Sequence, residues 1–387
     1  MRSAEAVVIG AGVIGASVAY HLAARGCGPV LVLERDLAPG QGSTRRATGG
    51  FRAQFGSEIN VRLSLLSREK LVRFESELGV DPGYRRCGYL FLASDEAQLD
   101  ALRGARSVQR AAGLEDAREV GPEEVGDINP AVRAEGLIGG VFGPTDGFLK
   151  PMEVLRGYVE GAQRLGVRFE YGVECIGFEL DEPGRIAAVR TPDGDVAVGS
   201  VVNAAGPWAA SLARHAGLEV PVEPLRRRVA VTGPFDELPE DMPMTVFLED
   251  GFHLRVRDGR VLLLLPDEPD AADPFDQSVE DAWVESVFGT ARQRVPCLEE
   301  ATIDRAKCWA GLYEMSPDGH VLLGRVEEID NLYLANGSSG HGVMHAPALG
   351  QLLAEIMLDG AASTLDAHAL RPSRFAEGES NLAFTLL

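Results

Sequence analysis

The chain has 387 residues, 45% hydrophobic and 25% charged, a composition that supports a large buried core built most naturally as two domains. Its 37 Lys and Arg against 58 Asp and Glu leave a formal charge of −21, which repels phosphate backbones and anionic membranes and makes a nucleic-acid binder the least favoured class. The five cysteines (Cys27, Cys87, Cys175, Cys297 and Cys308) are scattered with no C-x-x-C pair, and read as reduced thiols of a cytoplasmic protein rather than a zinc site or disulfide framework.

Glycines and a Glu interrupt the apolar N-terminal stretch before a signal peptide or transmembrane segment develops. Ala6-Val7-Val8-Ile9 is a run suited to a strand buried on both faces, and it breaks into Gly10-Ala11-Gly12-Val13-Ile14-Gly15. A helix over residues 17–25 follows, closed by Gly26 and Gly28, and then a second buried strand, Val30-Leu31-Val32-Leu33, that ends on Glu34 beside Arg35. This is a complete β-α-β unit. The polar, Gly/Ser/Thr/Arg-rich segment 39–50 reads as a functional loop. Helices are expected over 59–78, 97–112 and 151–165, and a strand over 167–171 that continues a parallel sheet. Pro192-Asp193-Gly194 marks a hairpin joining 187–190 to 196–198, with a further short strand at 201–203. From about 221 to 319 the pattern changes to strands and acidic, Pro-rich loops with one helix near 279–287. Leu332-Tyr333-Leu334-Ala335 is then a strand, 336–342 a Gly/Ser loop, and Leu349, Leu352, Leu353 and Ile356 give helical spacing. The expected fold is α/β, α+β overall: a Rossmann-like dinucleotide domain formed by 1–85, 146–220 and 320–387, with a β-rich substrate domain, 86–145 and 221–319, inserted into it.

In Gly10-x-Gly12-x-x-Gly15 the first glycine permits the tight turn, the second lets the backbone approach a pyrophosphate at the helix N-terminus, and the third allows close helix–strand packing. Glu34 suits the adenosine ribose hydroxyls and disfavours a 2′-phosphate. The unit alone leaves NAD and FAD both open.

Further segments decide between them. Taken in order, the N-terminal glycines with Glu34, Gly42-Ser43-Thr44, Asn203-Ala204-Ala205-Gly206-Pro207-Trp208, Gly311-Leu312-Tyr313-Glu314-Met315-Ser316-Pro317-Asp318 and Gly337-Ser338-Ser339-Gly340-His341-Gly342 resemble the FAD-dependent amine and amino-acid oxidoreductases of the D-amino-acid oxidase, glycine oxidase and sarcosine oxidase type. Gly49-Gly50-Phe51-Arg52 and the Gly-Leu-Tyr-Glu-Met run are most similar to the beta subunits of sarcosine oxidase and dye-linked proline dehydrogenase. The resemblance covers nearly the whole chain. It implies that Ser43 and Thr44 line a flavin, that Val173 meets the adenine through its backbone, and that Ala204 and Gly206 let the chain pass close to the cofactor, with Trp208 as packing or contact. It also implies that Gly337, Ser339, Gly340, His341, Gly342, Val343 and Met344 bring a helix N-terminus to the flavin, where free N–H groups stabilise negative charge on the reduced ring.

By the same resemblance Arg52 is the clamp for a substrate carboxylate, with Arg45 and Arg46 nearby as alternatives. Tyr313 is an active-site side chain, and His253 lines the same cavity from the inserted domain or is structural. Gly311 replaces a flavin-linking cysteine, so the FAD is expected to be non-covalent. Residues 261–265 lack a cation where a relative uses lysine against dioxygen, and Met344 replaces a second lysine. These departures favour a dehydrogenase that oxidises the C–N bond of a proline-, sarcosine- or N-alkyl-type amino acid by hydride transfer to flavin N5, leaving an imine, with a small amino-acid or amine substrate and an electron acceptor or partner subunit. An oxidase returning hydrogen peroxide and a flavin-carrying subunit of a larger complex stay open. His341 and His345 stand four apart, but no Glu follows His341 and no third ligand is suggested, so no metal is expected. The Arg226-Arg227-Arg228 run reads as a solvated or ion-paired face.

Overall fold

The computed structural model describes residues 2–182, 184–267 and 273–381. The apolar runs of the N-terminal and C-terminal portions form one sheet in the order Leu322–Arg325, Leu332–Asn336, Val196–Asn203, Arg2–Ile9, Val30–Glu34, Arg168–Tyr171. All neighbours are parallel except Leu322–Arg325, which runs antiparallel to Leu332–Asn336. Helix Val13–Ala24 makes the crossover from the first strand to the second and is buried nearly all round. It packs between the helices Pro151–Arg164 and Gly342–Asp359. At Gly350 the last of these comes so close that an added Cβ would lie 2.2 Å from Ser17 Oγ. The first helix begins at Val13, inside the glycine turn, rather than at residue 17.

The second arm of the hairpin, 196–198, and the short strand expected at 201–203 form one continuous strand, Val196–Asn203. Its first residues pair antiparallel with Arg185–Arg190, and the strand runs parallel to Arg2–Ile9 from Arg2↔Val196 to Ile9↔Asn203. Gly199 does not break it because its missing side chain lets Glu5 O approach: a Cβ there would lie 2.7 Å away.

A second sheet has the order Trp309–Met315, Glu223–Val231, Arg260–Leu264, His253–Arg257, Met244–Phe247, Tyr89–Ala93, Gly139–Gly143, Arg118–Val120. Helix Asp281–Arg294, longer than the expected 279–287, buries Trp283, Val284, Val287 and Phe288 in a core shared with Leu254, Val256, Val261 and Leu263. A two-stranded ribbon, Gly50–Phe51 with Gly147–Phe148, follows the 39–50 segment and leads into the loop that carries Arg52. All five cysteines are free thiols, and among the described residues no helix is long and apolar enough to cross a membrane.

Candidate functional site

A cleft of about 580 Å3 lies between the two sheets. At one end stands the first strand-to-helix turn, where the three glycines have three different surroundings. Gly10 has φ +108°, and a Cβ on it would lie 2.4 Å from Ala204 O. Gly15 would place a Cβ 2.0 Å from Gly10 O, so it serves helix packing and does not line the cleft. Gly12 would meet only Thr44 Oγ1, at 3.5 Å, so its missing side chain leaves open space on the cleft wall formed by Gly12, Val13 and Ile14.

Glu34 sits at the edge of this end and accepts hydrogen bonds from Ala11 N (2.8 Å) and Asp36 N (3.0 Å). Two backbone donors stabilise its carboxylate and fix its direction, while a carboxylate retains acceptor capacity for further hydroxyls. Arg35 lies over Trp208, 3.9 Å from the ring centroid, and Trp208 stacks on Phe275. Val173 N donates to Glu34 O at 2.9 Å, so any further backbone contact from Val173 goes through its carbonyl. Gly42, Ser43 and Thr44 border the cleft, but the two hydroxyls hold the loop: Ser43 donates to Leu312 O at 2.7 Å and Thr44 accepts from Val13 N at 3.1 Å.

The C-terminal glycine loop forms the opposite wall. Ser339, with φ +49°, donates its backbone N–H to Glu314 O (3.0 Å) and its hydroxyl to Gly337 O (3.0 Å), which ties the loop to strand Trp309–Met315. Gly340 has φ +89°, and a Cβ on it would enter the Tyr313 ring at 2.4 Å. Gly337 lies behind the wall, against Leu322 and Ser316. Gly342, Val343 and Met344 open the helix Gly342–Asp359 on the cleft side, where first-turn N–H groups have no intrahelical acceptor. Glu314 Oε1 accepts from Ser338, whereas Glu314 Oε2 is buried without a partner among the described residues. Burial pushes that carboxyl's pKa upward.

Between these walls Arg52, Tyr313, His253 and His341 converge with Tyr89. Arg52 is 3% exposed, donates from Nη1 to Gln54 O (2.6 Å), and lies 4.1 Å from the Phe55 ring centroid. Its Nη2 stands 3.3 Å from His341 Nε2. Burial first, then Arg52, holds His341 well below the usual histidine range, so its imidazole is neutral and accepts from the guanidinium. His253 donates from Nδ1 to Gly251 O at 2.8 Å once neutral, which leaves Nε2 as a bare acceptor. Burial, aided by Arg52 and Arg227, lowers its pKa to about 4. Tyr313 keeps its phenol proton because burial raises its pKa against the opposing pull of Arg227 and Arg52. His345 Nε2 faces the Ser64 hydroxyl at 2.9 Å, and with His341 turned to a cation the two histidines do not present a shared metal seat.

Two features escaped the sequence reading. Asp146 anchors the Arg52 loop by accepting from Ala53 N (2.7 Å) and Gln54 Nε2 (2.9 Å); burial pushes its pKa up to about 7. It lies far away in sequence, in an ordinary Gly-rich turn, with no local signal. The arginine run also divides. Arg226 pairs with Asp276 and Glu280, and Arg228 with Asp267 (2.8 Å) and Glu280 (3.0 Å), as an ion-paired face would. Arg227 and Arg228 both border the cleft, but Arg227 makes no ion pair among the described residues and lies 5.8 Å from the Tyr313 ring centroid. The available signal was the strand period of two, which turns alternate residues to opposite faces.

The sequence signature described as "DAO: FAD dependent oxidoreductase" matches residues 5–356. The chain is 32% identical to FAD-dependent oxidoreductase domain-containing protein 1 of Bos taurus, over 97% of this chain and 85% of that one. It is 29% identical to mitochondrial sarcosine dehydrogenase of Mus musculus over 92% of this chain, which amounts to 40% of that longer protein. The crystal structure of L-proline dehydrogenase from P. horikoshii superposes with a TM-score of 0.90 at 31% identity, covering 98% of this chain and 99% of the other. Glycine oxidase from Geobacillus kaustophilus superposes with a TM-score of 0.84 at 24% identity, covering 97% and 99%, a likeness of fold.

Proposed function

The chain belongs to the DAO family of FAD-dependent oxidoreductases, and from that premise we propose that it oxidises the C–N bond of an amino acid or secondary amine of the proline, sarcosine or N-alkyl type. The cleft suits FAD. Gly12 leaves room where a side chain would fill the wall, Glu34 is set for ribose hydroxyls, and the orphaned Glu314 Oε2 is matched by a hydroxyl-bearing chain. Gly10 to Ile14 and Glu34 would hold the adenosine and pyrophosphate, and the first turn of Gly342–Asp359 the ring end. With Gly311 in the wall rather than a cysteine, the attachment is non-covalent. The bound flavin supplies a two-electron acceptor for hydride from the substrate carbon.

One observation carries the reading: a buried guanidinium that makes no ion pair among the described residues, Arg52, faces the same cleft as a neutral imidazole whose Nε2 has no donor, His253. Arg52 binds the substrate carboxylate, because a desolvated cation lacking an internal counter-ion favours an anionic ligand. His253 Nε2 accepts the amine N–H. The neighbouring guanidinium groups favour the neutral amine by repelling an ammonium. Tyr313 donates its phenol hydrogen bond and, with Gly340, fixes the cavity wall. Water is excluded by the apolar side chains around Arg52, so the positioning acts in a low-dielectric site. Leu264, Leu265 and Pro266 give the neighbouring wall no cation, which favours transfer to an acceptor or partner protein over direct use of dioxygen.

The test is anaerobic mixing of the FAD-loaded protein with proline, sarcosine, N-methyl amino acids and D-amino acids. Bleaching of the flavin absorbance by one class is expected; a flavin reducible by dithionite but by none of these amines rejects the reading.

A further inference from the structure

We propose that the cleft holds a second anion seat at Arg227, and that the preferred substrate is an amine bearing two carboxylates, one remote from the other. This rests on the reading above, with Arg52 as the first seat.

Strand Glu223–Val231 pairs along its length with Trp309–Met315, in the register Arg226↔Leu312, Arg227↔Gly311 and Leu225↔Tyr313. Alternation places Arg227 on the face that carries Tyr313, away from Arg226 and Arg228. The neighbours on the other face take up three carboxylates, those of Asp267, Asp276 and Glu280. Arg227 takes none: among the described residues its hydrogen bonds are two marginal ones from Nη1, to Arg226 O (3.3 Å) and Asp267 O (3.5 Å). Its other contact is the ring face of Tyr313. In a chain where carboxylates outnumber basic side chains by 58 to 37, a half-buried cation on a cleft wall with no acid against it among the described residues stands out. A half-buried guanidinium in that position keeps its fork of donors open to an anionic ligand.

Arg52 and Arg227 are separately anchored. Arg52 is held by Gln54 O and by the Phe55 ring, and Arg227 belongs to the second sheet and leans on Tyr313. Arg52, Arg227, Tyr313 and His253 all line the one cleft, with Arg227 against the Tyr313 ring. An amine seated at His253 Nε2 then has a guanidinium available for each of two carboxylates. Acidic amino acids and iminodicarboxylates have this charge pattern; sarcosine and proline fill one seat only.

The probes are acetate and propionate against succinate and glutarate, titrated into the FAD-loaded protein and read as shifts of the flavin absorbance bands. A charge-assisted contact of ordinary strength gives the dicarboxylates at least about ten-fold tighter binding. Arg227→Gln should erase that excess and leave acetate affinity in place, while Arg227→Lys should keep part of it. Equal affinities in the parent protein overturn the second seat. So does an Arg227→Gln variant that weakens acetate as much as glutarate, since one carboxylate would then bridge both cations. In parallel, anaerobic bleaching compares glutamate and iminodiacetate with alanine, sarcosine and proline, and faster reduction by the diacids is expected. Reduction by monocarboxylates alone, without dicarboxylate preference, overturns the inference and leaves amine oxidation intact. A glutarate preference with no reduction by any amine supports the seat and rejects the reaction.

Discussion

Gly12 and Gly340 are both glycines of the cleft wall, and they are glycines for opposite reasons. Gly12 has φ −72° and ψ 176°, a conformation any residue adopts, so only space is at stake there. Gly340 has φ +89° and Tyr313 against it, so both backbone and packing demand it. Gly12→Val should therefore fold with unfolding free energy within about 0.5 kcal/mol of the parent. It should lose FAD by about two orders of magnitude in affinity, the scale of one or two lost charge-assisted hydrogen bonds. Flavin content after dialysis and urea unfolding of the apoprotein check the two halves separately. At this scale the sequence was a good guide to residues with a fixed local signature: the glycines, Glu34 and the His341 loop all border or buttress the cleft. It was a poor guide to Arg227, whose direction depends on a strand register, and to Asp146, whose role is long-range.

Among the elements, the segment after the last helix is pinned to the end of strand Trp309–Met315 by one buried ion pair. Arg374 donates from Nε and Nη2 to Asp318 at 2.9 Å each, with both side chains fully buried, and its remaining donors go to the carbonyls of Leu370, Arg371 and His320. Burial pushes the Asp318 pKa up, but the Arg374 hydrogen bonds and Asn381 N outweigh it and hold it down to about 2. Asp318→Asn leaves a buried guanidinium without its counter-charge and should cost about 3–5 kcal/mol, measured by urea unfolding. The elements themselves were largely legible, because buried strands and amphipathic helices announce themselves by period. The errors fell at Gly199 and at the first helix, where glycines that read as breaks are sites of close backbone approach.

The whole molecule keeps five of its seven histidines, His21, His253, His320, His341 and His345, below the usual pKa, with burial the first cause in each case. A histidine whose folded pKa is lowered contributes stability above its unfolded pKa of about 6.5 and loses it as pH falls toward the folded value. Below pH 6.5 the unfolded chain binds more protons, so acid favours unfolding. Asp146, raised to about 7, and Glu314, also raised by burial, act in the opposite sense above their unfolded pKa values, but they are two groups against five. The melting temperature should therefore fall steadily from pH 7 to pH 5, before most carboxylates titrate; a flat profile over that range contradicts the buried, neutral state of these rings. The alternation of α/β and β-rich stretches was visible in the sequence, as was the acidic charge. The seam between the sheets was not, since Gly50–Phe51 and Gly147–Phe148 are too short to leave a pattern.

The walls of the cleft come from Gly10 to Ile14 on one side and from Ser338 to Met344 on the other, segments far apart in the sequence. A ribosome delivers the first wall well before the second. Until residues 338–344 have been made the nascent chain carries one wall of the cleft only, so a ligand that needs both walls is held only after the helix Gly342–Asp359 begins to form.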